Sequence, residues 1–226
     1  MSQLALPLQL EDHAVFESFW PAGNETLVAF LLDLVATHRG PGCWLWGSTA
    51  TGKSHLLQAL CERLGDRSIY LPMQDLQSTS PDVIYGLATR EFICLDDLHV
   101  VARLPQWERA LFDLYNSISD AKSVLIVSAD SSPRDSGFEL PDLKSRLSLL
   151  PAFHLRPMQE EDRQKALQLR ASHRGLELPD DTARYLIARS KRDMASLYAL
   201  LDRLDSEALV AKRRLTVPFV KGVIGL

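Results

Sequence analysis

Residues 47–54 read Gly47-Ser48-Thr49-Ala50-Thr51-Gly52-Lys53-Ser54, which satisfies the spacing GxxxxGK[ST] at every position. Each residue type has a chemical reason to be there. Glycines let the backbone wrap close to an anion, so that successive N–H groups turn inward. A helix that starts where the loop ends adds positive potential. Lys53 reaches the outer phosphate oxygens, and the Ser54 hydroxyl can ligate Mg²⁺. The pattern carries meaning only between a strand and a helix; the apolar run 43–46 and the helical stretch 53–64 supply both. The expected ligand is a purine nucleotide with Mg²⁺.

A second group of acids belongs with this loop. Phe92-Ile93-Cys94-Leu95-Asp96-Asp97 is an apolar strand that ends in two carboxylates. Asp96 is the candidate on the metal side, and Asp97 is the acid placed to orient a water. The run 123–127 leads into Ser128-Ala129-Asp130. Asp130 is a candidate for sensing the terminal phosphate or positioning water; the other reading is a turn acid before Ser131-Ser132-Pro133.

The elements that must hold these residues follow from hydrophobic periodicity. Short apolar runs at 43–46, 68–71, 92–95 and 123–127, with a possible fifth at 153–155, read as buried strands separated by helices at 53–64 and 105–118. That alternation predicts an α/β domain with a parallel sheet covered by helices. A preceding helix spans 24–38, with Asn24 as its N-cap. After Pro157 the strands stop: helical patterns at 159–174, 179–190, 193–213 and 216–223 predict a small all-helical domain. The expected division is a flexible tail over 1–12, a nucleotide-binding domain over 13–155 and a helical lid over 156–226.

Composition sets bounds on function. No apolar run approaches the roughly 18–20 residues needed to span a bilayer, and no secretory signal is visible, so a cytoplasmic protein without membrane contact is expected. Three widely spaced cysteines, Cys43, Cys61 and Cys94, fit neither a disulfide framework nor a zinc site and read as buried thiols. Residues 1–155 carry 11 Lys and Arg against 19 Asp and Glu, whereas 156–226 carry 14 against 10. An acidic body with a basic C-terminal part argues against strong autonomous DNA binding.

Several stretches together resemble the AAA+ ATPases and, within them, the DnaA/Hda family: GSTATGKSHLLQA at 47–59, FICLDDLH at 92–99, LFDLYNSI at 111–118, LPDLKSRL at 140–147 and LTVPFVK at 215–221. The resemblance covers nearly the whole chain and is strongest to the Hda branch, regulators that inactivate the initiator DnaA. DnaA's DNA-binding helix-turn-helix is not expected, because the lid pattern takes up the residues after 156. The resemblance implies ADP (or ATP) with Mg²⁺ as ligand, and His55 and Asn24 beside the loop as nucleotide contacts; residues 20–24 match the segment that flanks the adenine. It implies that Gln3, Leu4, Leu6, Pro7 and Leu8 form a peptide that docks on the DNA polymerase III sliding clamp (its beta subunit). A Gln amide with a few apolar anchors on an extended segment suits a hydrophobic pocket. DNA would be met only indirectly, through the clamp.

Arg146 matches the family's arginine finger, which would be presented in trans to ATP on DnaA; an ion pair with Asp142 one turn earlier is the plainer reading. At the lid position where AAA+ proteins often carry a sensor arginine this chain has Ala195, with Arg192 off register. Weak or absent hydrolysis of its own ATP is therefore expected, with activation of DnaA's ATPase as the main activity and self-association possible. An autonomous AAA+ ATPase such as a helicase loader is the alternative, opposed by Ala195 and by Asp97 where Glu is commoner. A small-molecule kinase and a DnaA-like DNA binder fit less well.

Overall fold

The computed structural model describes residues 14–38, 40–189, 194–211 and 214–224. Five parallel strands form one sheet: β1 (Gly42–Trp46), β2 (Ser68–Pro72), β3 (Phe92–Asp96), β4 (Val124–Ala129) and β5 (Ala152–His154), in the order β2-β3-β4-β1-β5. The fully buried β3 and β4 are apolar apart from Asp96 and Ser128, as strands covered on both faces must be. β2 and β5 are more exposed and lie at the edges. The strand predictions hold, with β3 extended to take in Asp96 and β4 extended through Ser128 to Ala129. Gly42 enters β1 at φ +94°, and a Cβ there would lie 1.7 Å from the Leu125 carbonyl oxygen, so only glycine permits this register.

Helices α1 (Glu25–Thr37), α2 (Lys53–Leu64), α3 (Met73–Leu76), α4 (Pro105–Ala121) and α5 (Pro141–Leu147) belong to this unit. On α4, Trp107, Ala110, Leu111, Leu114 and Ile118 recur at helical spacing and meet Ile93, Leu95, Leu125 and Val127 of the sheet. Pro105 starts the helix where a missing N–H costs nothing. It runs one turn beyond the predicted end because Lys122 takes a left-handed conformation and returns its N–H to Ile118 and Ser119. Residues 73–89 form α3 and short 3-10 turns whose Met73, Leu76 and Ile84 join the same core. All three cysteines are buried, as expected, and burial pushes the Cys43 thiol up.

One N-cap expectation fails. Asn24 stands at the start of α1, but its side chain does not cap the helix. Its Oδ1 accepts from the Arg156 N–H at 2.9 Å and its Nδ2 donates to the Arg156 carbonyl at 3.3 Å. The amide is spent on pinning the strand that leaves β5.

The second unit comprises Glu17–Gly23 and the described residues from Pro157 onward. It contains α6 (Glu160–His173), α7 (Asp180–Arg189), α8 (Met194–Ala211) and α9 (Val217–Ile224), packed around Leu167, Leu186, Leu197, Leu201, Leu204 and Val220. Acids crowd the first turns of α6 and α7, where they complement the helix dipole. Arg174, 7% exposed, pairs with Asp202 at 2.7 Å and Asp205 at 3.6 Å on α8. Among the described residues, no helix is long and apolar enough to cross a membrane.

Glu108 is the most consequential polar residue outside the loop of residues 47–54. It is 3% exposed on α4, and its carboxylate accepts the N–H of Arg103 (2.8 Å), of Glu139 (3.0 and 3.1 Å) and of Leu140 (2.6 Å). These bonds fix both the entry to α4 and the start of α5. Each buried donor left unpaired costs about 1–3 kcal/mol. Glu108→Ala is expected to lower stability by about 3 kcal/mol or more, read as a fall in the urea midpoint at constant slope; an unchanged midpoint would refute this role.

Candidate functional site

The loop between β1 and α2 is built from left-handed residues and a missing side chain. Ala50 (φ +61°) and Gly52 (φ +96°) curl the backbone. A Cβ on Gly47 would lie 2.7 Å from the Leu155 carbonyl oxygen, so the neighbouring chain closes on the loop only because that position is glycine. Thr51, itself buried, donates to the Ser48 carbonyl at 3.0 Å and braces the curve. Gly52 is the N-cap of α2 and offers no side chain to its first amides, which leaves the N-terminal N–H groups to an anion.

Lys53 is 7% exposed. Its ammonium donates to the carbonyls of Gly47 at 2.8 Å and Ser48 at 3.0 Å. Burial lowers its pKa, and the charges of Asp97, Asp96 and Asp130 oppose that shift. The three acids picked from sequence are therefore the carboxylates that act on the loop lysine. Ser48, Thr49 and Ala50 form the exposed rim of the loop, and Ser54 is the second residue of α2, partly buried.

Asp96, 4% exposed, ends β3. Its Oδ2 accepts from the Tyr70 hydroxyl at 2.6 Å, and its Oδ1 accepts from the Ser128 hydroxyl. Asp97 follows at φ +53° and donates its N–H to Ser128 Oγ at 2.8 Å. Burial, then the adjacent Asp96 charge, hold the Asp97 carboxyl above the usual range, while His99 and Lys53 pull it down. Asp130 is exposed; its Oδ1 accepts from Ser131 Oγ at 2.8 Å and its Oδ2 lies 3.7 Å from His99 Nε2.

Not every residue named from sequence joins this cluster. The His55 ring nitrogen lies 2.9 Å from the Val15 carbonyl oxygen, and Asn24 is committed to Arg156. Arg146 sits on α5 with its guanidinium over the rings of Phe112 (5.0 Å) and Tyr115 (5.7 Å), not in an ion pair with Asp142. Trp20 donates its indole N–H to Asp162 at 3.0 Å within the helical unit. Gln3, Leu4, Leu6, Pro7 and Leu8 lie outside the described residues, as does Arg192; Ala195 falls within α8. Sequence reading passed over Tyr70, Ser128 and His99. For Tyr70 and Ser128 the available signal was a polar residue on the strand face that carries Asp96.

The residues present fit Mg²⁺ with a nucleotide. That ion takes one or two carboxylates and completes its shell with phosphate and water, and the site offers the Ser54 hydroxyl at the start of α2 and the buried Asp96 carboxylate at the end of β3. Among the described residues, no cluster of three or more His, Cys, Asp or Glu could hold a metal unaided. Asp97 yields a pH prediction. Because its carboxyl is raised in the folded protein, the fold binds more protons than the unfolded chain just above the ordinary carboxylate range, and stability falls as pH rises through that window. Asp97→Asn is expected to raise the thermal midpoint more at pH 7 than at pH 4; Asn also tolerates the left-handed backbone there. An equal change at both pH values would refute this.

Comparison with known proteins agrees with this architecture. Residues 160–224 match the family model described as "Hda, lid domain". Domain III of the Thermotoga maritima replication initiation protein DnaA superimposes with a TM-score of 0.76 at 17% identity, covering 96% of this chain and 98% of that one. AMPPCP-bound DnaA from Aquifex aeolicus gives 0.69 at 20% identity, covering 85% and 65%. The Thermotoga maritima RuvB Holliday junction branch migration motor gives 0.65 at 17%, covering 89% and 67%. The fold is that of AAA+ proteins, with a parallel sheet covered by helices and a helical lid domain. The C-terminal helical unit is thus similar to an Hda lid domain, and the chain as a whole has the fold of DnaA domain III.

Proposed function

We propose that this protein is a regulator of replication initiation that holds adenine nucleotide, chiefly ADP, and stimulates hydrolysis of ATP bound to DnaA. The observation that carries this reading is the pairing of an Hda-type lid with a complete phosphate loop around a buried Lys53. A DnaA relative of this fold has been solved with AMPPCP, which supports an adenine nucleotide in the loop.

In this reading Gly47, Ser48, Thr49, Ala50, Thr51 and Gly52 give backbone N–H groups to the phosphates. Lys53 exchanges its two carbonyl partners for phosphate oxygens. Ser54 and Asp96 hold Mg²⁺, which when bound neutralises phosphate charge. Asp97 and Asp130 orient water and polar groups at the outer phosphate. Ala195 brings no guanidinium to the lid, so the chain's own nucleotide is retained rather than turned over. Arg146 then serves a second protein. A guanidinium resting on aromatic faces is only partly hydrated and keeps its donors free at the edges. Set against ATP of DnaA, it would neutralise charge that develops in the transition state. The segment of Gln3, Leu4, Leu6, Pro7 and Leu8 would bring the protein to the sliding clamp on DNA, with the whole chain acting in the cytoplasm.

Two experiments test this. Arg146→Ala should leave ADP binding and clamp binding intact while stimulation of DnaA ATP hydrolysis falls by about 10³-fold, since arginine fingers are worth ~10³–10⁵ in GTPases. Undiminished stimulation would remove the finger role. Replacing Gln3, Leu6 and Leu8 with Ala should abolish co-elution with the clamp while ADP affinity stays within about twofold, the tail lying apart from the phosphate loop in sequence; retained clamp binding would dismiss the tail assignment.

A further inference from the structure

Both oxygens of the Asp96 carboxylate are held by hydroxyls whose own direction is fixed. Gln58 of α2 donates its amide to Tyr70 Oη at 3.2 Å, and Tyr70 spends its one proton on Asp96 Oδ2 at 2.6 Å. On the other side the Asp97 N–H donates to Ser128 Oγ at 2.8 Å, and Ser128 spends its one proton on Asp96 Oδ1. A hydroxyl has a single proton to give, so neither can turn toward another acceptor without abandoning Asp96. The carboxylate is gripped from β2 and from β4 at once, and Ser128 is fully buried. A carboxylate offers about four acceptor positions; two are taken by these hydroxyls, and the others remain for a cation or its waters.

We propose that Tyr70 and Ser128 are positioning residues that fix the orientation of Asp96 toward Mg²⁺, and that Gln58 carries the constraint back to α2, the helix that begins at the phosphate loop. The proposal rests on Asp96 as the metal-side acid. Hydrogen bonds to a ligating carboxylate set its direction, and losing them typically weakens the metal about 10–100-fold. Ser128 does more than Tyr70, because it also holds the backbone of Asp97 in its left-handed turn.

The test is binding of a fluorescent ADP analogue to the full chain, in EDTA and across a Mg²⁺ titration, with melting curves to confirm folding. Tyr70→Phe keeps the ring and removes the proton. It should leave affinity in EDTA within about twofold and raise the Mg²⁺ concentration for half-maximal effect by about tenfold. Ser128→Ala should do the same and Ser128→Thr should restore the wild-type midpoint. Asp96→Asn is the control on the underlying reading. If it leaves the Mg²⁺ midpoint unchanged, Asp96 is not the metal-side acid and the proposal falls with that reading. If Asp96→Asn shifts the midpoint while Tyr70→Phe and Ser128→Ala do not, the metal reading stands and the positioning role alone is overturned.

Discussion

A charged lysine with 7% of its surface exposed, Lys53, is the demand around which the α/β unit is arranged. A buried charge is tolerated only when paired and hydrogen-bonded. Here two loop carbonyls accept its hydrogen bonds, and Asp97, Asp96 and Asp130 supply opposing charge. Those acids come from the ends of β3 and β4, and the lysine from the element after β1. The three can meet because the strands are parallel, so their C-terminal ends share one edge of the sheet, the place where α/β folds bind ligands. Burial first, and then repulsion from Asp96, raise the Asp97 carboxyl there.

The two faces of the sheet have divided the work. Strand alternation sends Ile93, Leu95, Leu125 and Val127 to one face, where they meet α4 and α5 in an apolar core. Tyr70, Asp96 and Ser128 form the polar set joined to α2. Arg146 belongs to the first face, on α5 above Phe112 and Tyr115 of α4. The residues proposed to hold nucleotide and the guanidinium proposed to act on another protein are thus carried by different layers. A change at one need not disturb the other.

Much of this was legible in the residues. Apolar runs of strand length, broken by helical periodicity, led to the strands and helices because burial on both faces leaves little room for polar residues. The loop was legible because phosphate binding restricts residue type at fixed spacing. What stayed hidden was pairing between distant single residues. Glu108 looks like any acid on an exposed helix face, and nothing local says that the amides of residues 103, 139 and 140 converge on it. Tyr70 and Ser128 are one hydroxyl each in apolar strands. Asn24 had the right type and place for a cap, yet a backbone 132 residues away claimed its amide. The tail residues and Arg192 lie outside the described structure, so their reading still rests on resemblance.

The manner in which Glu108 holds its neighbours has an evolutionary side. It recognises main-chain N–H groups, which every residue but proline possesses. The segments around 103 and 139–140 are therefore free to drift in side chain, charge and size while α4 and α5 keep their places. Such a device lets the surface around residues 103 and 139–140 vary without re-inventing the scaffold beneath. The residues barred there would be prolines, and the one that could not drift would be the buried acid.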